Sequence, residues 1–208
     1  MPSFIKKKLA IRSGIVVLCV LAGWFSFRPF IPAVSFYFAK QTSPEMFLDS
    51  FYADKYQFES GESSLFRVKV IDGTSDRLIV PSIGVDIETF FNEDQNVALS
   101  KGAWVVPGSV NPGDVGEMVI TGHRFEVVPP AKNTFYNLDK LHEGDTFMVI
   151  KDGYAYKYEI RSTEIVDPEE YNIGMRDTKT SEVTLYTCTP LWTASQRLLQ
   201  HGELVAFN

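Results

Sequence analysis

Three side chains in the sequence could together perform acyl transfer: a thiol, an imidazole and a guanidinium. Cys188 follows an apolar segment and comes directly before a Thr-Pro pair, so its thiol stands at the end of a predicted strand. His123 also ends a predicted strand, and Arg197 follows the cysteine by nine residues. If these strands belong to one barrel, the thiol and the imidazole would meet at the same rim.

The chemistry that this set predicts is nucleophilic catalysis through a thioester. A free thiol is only a few per cent ionised at neutral pH, so a nucleophilic cysteine needs a neighbouring base or cation. The rigid donors of Arg197 would suit an oxyanion or the backbone carbonyls of a peptide. Each residue also has an ordinary interpretation, since strand cysteines are often buried apolar residues and lone histidines are often hydrogen-bonded surface groups.

Composition narrows the classes of function. The chain has 208 residues, a formal net charge of −6 and two cysteines, Cys19 and Cys188. The length admits one domain with additional segments. The acidic balance disfavours nucleic-acid binding, because basic residues cluster only in the first dozen positions. The cysteines lie in unlike segments without CxxC spacing, so we expect no disulfide, no metal site and no cofactor.

The N-terminal segment has the pattern of a membrane anchor. A basic stretch at 1–12 precedes an apolar run at 13–27, and a second apolar stretch with two prolines extends the anchor region to residue 39. A bilayer core needs about 20 helical residues, which the run reaches if flanking arginines snorkel. A cleaved signal peptide is the alternative, although no clear A-x-A site follows. The positive-inside rule then predicts a single-pass protein of the cell membrane, with a cytoplasmic N-terminus and an extracellular catalytic domain.

The remainder divides into a linker at 40–64, with a short helix near 46–52, and a domain at 65–208. Strand-like alternation dominates this domain, and short helices are predicted near 94–99 and 134–141. Many short strands with few helices indicate an all-β barrel or sandwich. The predicted strands are 66–71, 77–80, 85–90, 118–121, 146–150, 154–160, 164–166, 183–188 and 197–206.

The motifs together resemble the sortases, which are cysteine transpeptidases of bacterial cell surfaces. The resemblance extends from about Arg77 to Val205, and its motifs are Leu78–Val85, Gly102–Trp104, Pro107–Ser109, Val119–Arg124, Phe135–Leu141, Gly144-Asp145 and the Thr-Leu-x-Thr-Cys sequence at Thr184–Cys188. It implies a closed eight-stranded sortase-type β-barrel with one or two short helices. It also implies that His123, Cys188 and Arg197 are the catalytic residues.

The resemblance implies a substrate class as well. In this family the cysteine attacks the Thr–Gly carbonyl of a C-terminal LPxTG-like sorting signal, and the acyl group passes to an amine. The implied partners are secreted proteins that carry such a signal, and a peptidoglycan precursor or another amine acceptor. His123 would protonate the leaving amine. Thr187 is expected in the oxyanion region and Trp192 beside the substrate groove.

Within the family, the single-anchor classes D and E fit best. Pilin-polymerising sortases carry an Asp-Pro-aromatic lid before the barrel and a second hydrophobic span after it. Residues 40–64 contain no Asp-Pro, and the sequence ends shortly after the last predicted strand. The Cys-Thr-Pro sequence and the nine-residue step to Arg197 also favour classes D and E.

Two other functions compete with this one. A cysteine L,D-transpeptidase would place histidine and glycine just before the nucleophile, whereas Tyr186 and Thr187 precede Cys188. A membrane-tethered barrel that only binds or scaffolds is expected to lack a catalytic residue, and all three are present.

The remaining polar groups are interpreted as structural. His142 and His201 are expected to face solvent, and the acidic residues at 164–170 to form a solvated loop without calcium-site spacing. The loop at 168–182 is expected to cover the groove.

Overall fold

The computed structural model describes residues 2–27, 56–57, 67–70, 75–91, 94–125, 133–169 and 176–207. Most of the predicted linker and the second half of the predicted anchor region lie outside these residues. Helix α1 (Pro2–Phe27) includes the predicted apolar run. Among the described residues, no helix combines the length and hydropathy needed to cross a membrane, so the predicted span is not confirmed.

In the described ranges after α1, the structure has ten strands, one further α-helix and two 3₁₀ turns. The short helix α2 (Gln95–Lys101) and two 3₁₀ turns (Pro81–Ile83 and Leu138–Lys140) interrupt the strands. The strands are β1 (Tyr56–Gln57), β2 (Arg67–Val70), β3 (Arg77–Val80), β4 (Val85–Phe90), β5 (Ala103–Val105), β6 (Gly116–Thr121), β7 (Thr146–Lys151), β8 (Tyr154–Val166), β9 (Ser181–Thr189) and β10 (Gln196–Leu204).

Eight of these strands close a barrel in the order β3-β4-β5-β6-β9-β10-β8-β7, with β7 pairing back onto β3. The pairs are antiparallel except β4–β5 and β6–β9, which are parallel. Outside the barrel order, strand β2 pairs with β8, and β1 pairs with β2. The predicted closed eight-stranded barrel is therefore confirmed.

The register of β9 and β10 determines which side chains leave the core. Leu185 and Leu198 are buried in the main apolar cluster of the barrel, where a fully buried aliphatic side chain contributes about 1.5–3 kcal/mol. Successive strand residues point to opposite faces. Thr184, Tyr186 and Cys188 on β9 therefore share the face that points away from the core.

Several predicted elements differ from the observed ones. The segments predicted at 154–160 and 164–166 form one strand, β8, because it pairs with β7 along one stretch and with β10 along the next. Strand β5 was not predicted, since three residues are too few to show a period. The helix predicted at 134–141 is reduced to the 3₁₀ turn Leu138–Lys140, where Asn and Asp favour turns over helix interiors.

Candidate active site

The cysteine and the arginine predicted as catalytic lie directly opposite each other. Cys188 near the end of β9 is the cross-strand partner of Arg197 at the start of β10. Directly opposed residues in antiparallel strands have Cβ atoms about 4.5–5.5 Å apart on the same face. Both residues are half-buried, and the thiol of Cys188 is free. Backbone pairing alone thus brings the thiol and the guanidinium together.

The histidine reaches the same rim from the other side of β9. Strand β6 runs parallel to β9, with Thr121 level with Tyr186. The amide of Gly122 continues this ladder by donating to the Tyr186 carbonyl at 3.3 Å. His123 follows Thr121 by two residues, and Cys188 follows Tyr186 by two residues on β9. His123 is exposed, so its imidazole is accessible to a substrate at the rim.

Thr187 connects the nucleophile's strand to the histidine loop. Its side chain is 1% exposed, and its hydroxyl donates to the Gly122 carbonyl at 2.8 Å. The hydroxyl proton of Thr187 is therefore bonded to the backbone beside His123 and does not point toward a substrate. A contribution of Thr187 to the oxyanion region stays a prediction, and it would involve the backbone amide.

The guanidinium of Arg197 also forms hydrogen bonds to the backbone of the loop between β9 and β10. Nη1 donates to the carbonyls of Ala194 and Gln196, both at 3.0 Å. The amide of Ala194 donates in turn to the Pro190 carbonyl at 2.9 Å. Within the part of the chain that the structure describes, Nε and Nη2 of Arg197 have no hydrogen-bond partner. These two donors remain for a substrate carbonyl or an oxyanion.

An aromatic row, composed of Trp192, Phe125 and Tyr136, joins the loops that follow Cys188 and His123. Trp192 is 71% exposed, and its ring meets Phe125 edge-on at a centroid distance of 5.2 Å. Phe125, two residues after His123, lies 6.1 Å from the ring of Tyr136. Partly exposed aromatic rings close to the predicted nucleophile suit the apolar side chains of a peptide.

Two site residues were missed by sequence reasoning. Arg124 is buried directly after His123, and its Nη2 lies 2.9 Å from Oδ1 of Asp139. The amide of Phe135 also donates to the His123 carbonyl at 2.8 Å. The sequence contains Arg124 and Asp139 within recognised motifs, but they are 15 residues apart and no local pattern links them.

The prediction that His201 faces solvent is wrong. His201 is 6% exposed and lies in a polar cluster with the buried residues Thr184 and Glu117 and with the exposed Arg176. Nδ1 of His201 lies 2.8 Å from the Thr184 hydroxyl and 2.7 Å from Nη1 of Arg176. Burial lowers the pKa of His201, and the Arg176 charge lowers it further, against the opposing effect of Glu164 and Glu117.

The prediction that His142 faces solvent is confirmed, and the described acidic residues are exposed as predicted, although Glu164 lies in β8 and not in a loop. His142 is exposed, as are Glu164, Asp167 and Glu169. Across the described ranges, no three His, Cys, Asp or Glu side chains are grouped to hold a metal ion. Residues 170–175 of the loop predicted to cover the groove lie outside the description.

Known proteins resemble the chain over this same region. The sortase-domain family profile matches residues 78–205, which is more than half of the sequence. The chain is 28% identical to Sortase D of Bacillus subtilis over 131 residues, covering 62% of each protein. It thus spans less than two thirds of that relative's length. The match is consistent with the predicted class D or E.

Solved structures agree on the fold. Sortase C-1 from Actinomyces oris superposes with a TM-score of 0.57 at 34% identity, over 64% of this chain and 73% of that one. Group B Streptococcus pilus island 1 sortase C2 gives 0.57 at 32% identity, over 62% and 73%. Sortase A from Corynebacterium diphtheriae gives 0.58 at 28% identity, over 67% and 64%. With a family profile that matches more than half of its sequence and a barrel that superposes on solved sortase structures, the chain belongs to the sortase family.

Proposed function

We propose that the protein is a cysteine transpeptidase that cleaves an LPxTG-like sorting signal between Thr and Gly and transfers the acyl group to a cell-wall amine. The observation that carries the proposal is the strand register, which pairs Cys188 with Arg197 and ends β6, two residues before His123, beside the same stretch of β9. Membership of the sortase family supports the general activity. The identities of the sorting-signal peptide and of the acceptor amine are to be determined by experiment.

Acylation begins with the thiolate of Cys188. Its sulfur bonds to the carbonyl carbon of the signal's Thr, and the carbonyl electron pair moves to oxygen. The free donors of Arg197 stabilise this oxyanion, an effect for which one donor contributes about 10²–10³ in rate. The intermediate then collapses and the C–N bond breaks. His123 donates a proton to the departing glycine amine, leaving a thioester on Cys188.

Transfer repeats these steps with a new amine. The acceptor nitrogen attacks the thioester carbon and forms an amide, while the C–S bond breaks and returns the electron pair to sulfur. His123, now neutral, takes up the proton that the acceptor nitrogen loses. The partners are therefore a secreted protein with a sorting signal and a peptidoglycan precursor or another amine. The chemistry requires no cofactor.

The same function favours a location at the cell membrane, with the catalytic barrel outside. The support is the basic stretch at 1–12 ahead of the apolar run at 13–27, together with the need to meet secreted substrates. Added protease should then digest the barrel on intact cells. Digestion only after lysis would contradict this location.

A peptide panel tests the reaction. The purified protein is incubated with fluorogenic peptides carrying LPxTG-like and LAxTG-like motifs and with a set of amines. We expect cleavage and an amine adduct, together with a covalent acyl-enzyme detectable by mass spectrometry. Cys188→Ala should abolish all three signals, while Cys19→Ala, which removes the exposed cysteine of α1, should retain them. A folded, reduced protein that cleaves no peptide would instead favour a barrel that binds without catalysis.

A further inference from the structure

The loop that carries His123 is attached to the barrel on both sides of the imidazole. The Gly122 carbonyl accepts from Thr187 and the His123 carbonyl accepts from Phe135, both at 2.8 Å. These contacts fix the backbone. The next side chain, Arg124, provides a third attachment, because its Nη2 lies 2.9 Å from Asp139. We propose that the Arg124–Asp139 ion pair positions His123 for catalysis, an inference that rests on the proposed function.

The burial of Arg124 distinguishes this pair from one between two surface residues, although Asp139 is itself 40% exposed and also lies 3.3 Å from Lys140. Arg124 is 8% exposed, and its Nε and Nη1 are buried without a partner in the described part of the chain. A buried guanidinium is costly unless it is paired. Asp139 is therefore the contact that compensates this charge. The pairing restricts Arg124 to one placement, and with it the backbone that Arg124 shares with His123.

The turn that holds Asp139 is itself attached to the strand of the catalytic arginine. Nε2 of Gln200, a fully buried residue of β10, donates to the Leu138 carbonyl at 3.1 Å. Gln200 lies three residues after Arg197 on the same strand. A continuous set of contacts thus runs from β10 through the 138–140 turn to Arg124. It fixes the histidine loop relative to the strand pair that holds Cys188 and Arg197.

Proton transfer makes this geometry important. A general acid must lie within about 2.6–3.2 Å of the atom that it protonates. A displacement of about 1 Å can reduce the rate 10²-fold. Arg124→Met is therefore expected to lower kcat by about 10–100-fold while KM stays within about twofold. Arg124→Lys retains one charged donor and should restore part of the loss.

The test combines kinetics with a readout that needs no substrate. The full-length protein contains three histidines, so ¹³C-labelled imidazole signals can be assigned by single His→Gln variants. We expect Arg124→Met and Asp139→Asn to move the His123 ring signal and leave those of His142 and His201 in place. The double variant should be no worse than Arg124→Met, because the two residues act as one unit. Asp139→Asn and Arg124→Lys keep the test available if Arg124→Met fails to fold.

Arg77→Met supplies the matched control. Arg77 also pairs with an aspartate, since its Nη2 lies 2.7 Å from Asp86, but it joins β3 to β4 and not to the catalytic strands. It should lower the melting temperature without changing kcat or the His123 signal. The inference is overturned if Arg124→Met stays within twofold of wild-type kcat, or if the His123 signal does not move. A wild-type protein that is inactive on every peptide would contradict the proposed function. The ring signals would still decide whether the Arg124–Asp139 pair positions His123.

Discussion

Strands β9 and β10 carry two pairs of polar residues on the same outward face, and the two pairs have opposite surroundings. At the rim, Cys188 lies across from Arg197; four residues along β9, Thr184 lies across from His201. The rim pair is half-buried, whereas Thr184 and His201 are buried. One pair can meet a substrate and the other cannot.

In the buried cluster most polar groups are paired, but Oε2 of Glu117 and Nε2 of His201 have no hydrogen-bond partner among the described residues. The Thr184 hydroxyl bonds to Glu117, a residue that is 3% exposed. Arginine can only donate, so Nδ1 of His201 accepts from Arg176 and the neutral imidazole carries its proton on Nε2. That nitrogen lies 3.4 Å from Glu164. Nδ1 of His201 is therefore bonded within the fold, and the buried ring does not face a substrate. Along this strand pair, the burial of a residue, more than its type, decides whether it has a structural role or the proposed catalytic one.

The largest effect that distinguishes the two regions should come from Arg197→Lys. The substitution keeps the charge but loses the planar donors available to the oxyanion. We expect kcat/KM to fall about 10²–10³-fold while the free energy of unfolding changes by less than about 1 kcal/mol. Peptide kinetics and urea unfolding measure the two quantities. Arg161→Lys, at an exposed arginine of β8, should leave both unchanged, and a comparable kinetic loss there would contradict the assignment.

Thr184→Val should produce the reverse pattern. The valine keeps the shape but removes the hydroxyl that donates to the buried carboxylate of Glu117. We expect a loss of about 1.5–3 kcal/mol in the free energy of unfolding, the range for hydrogen bonds to charged groups, with little change in kcat. Thr180→Val removes an exposed hydroxyl that contacts Glu182 at 3.2 Å and should cost less than about 0.5 kcal/mol. Equal losses in the two variants would show that the buried cluster has no special role.

The rim was predictable from sequence because its signals are local. Cys188 and His123 each end an apolar strand, and the motif around the cysteine is continuous. Strand ends bring such residues to one edge of a barrel, so the site follows from the order of the strands. The Arg124–Asp139 pair was not predictable, because it depends on how the 138–140 turn packs against β10.

His201 was misread for a related reason. Whether an outward side chain is buried depends on what packs against that face; His201 contacts Arg176 and, on the neighbouring strand β8, Glu164. The second half of β8 has exposed side chains from Arg161 to Ile165, so it shows no alternation from which a strand could be predicted. Its pairing with β10 extends it. Tertiary contacts, not local pattern, therefore determined the environment of His201.

A smaller effect on stability should appear as the pH falls. The pKa of His201 is lowered by burial and by Arg176, so between that lowered value and about 6.5 the unfolded chain binds more protons than the folded one. Stability is then complete above pH 6.5 and declines toward lower pH, by at most about 1.4 kcal/mol per pH unit. His201→Gln should remove this component. Urea unfolding from pH 5 to 7.5 measures it, and parallel pH profiles for the two proteins would contradict it.

The smallest effect is expected at the aromatic row, where Trp192→Ala should weaken peptide binding and leave the fold intact. Trp192 is mostly exposed, so its loss should change the free energy of unfolding by less than about 0.5 kcal/mol. An aromatic contact is worth about 0.5–1.5 kcal/mol, which corresponds to a KM increase of up to about tenfold. Trp192→Phe should retain most of the affinity.

Trp24→Ala is the matched control, because that tryptophan is also exposed and lies on α1; it should not alter KM. The division between kcat and KM decides how Trp192 acts. If Trp192→Ala lowers kcat at constant KM, the ring supports the His123 loop through Phe125 and does not contact the peptide. The aromatic row would then belong with the contacts that position the histidine and not with the substrate groove.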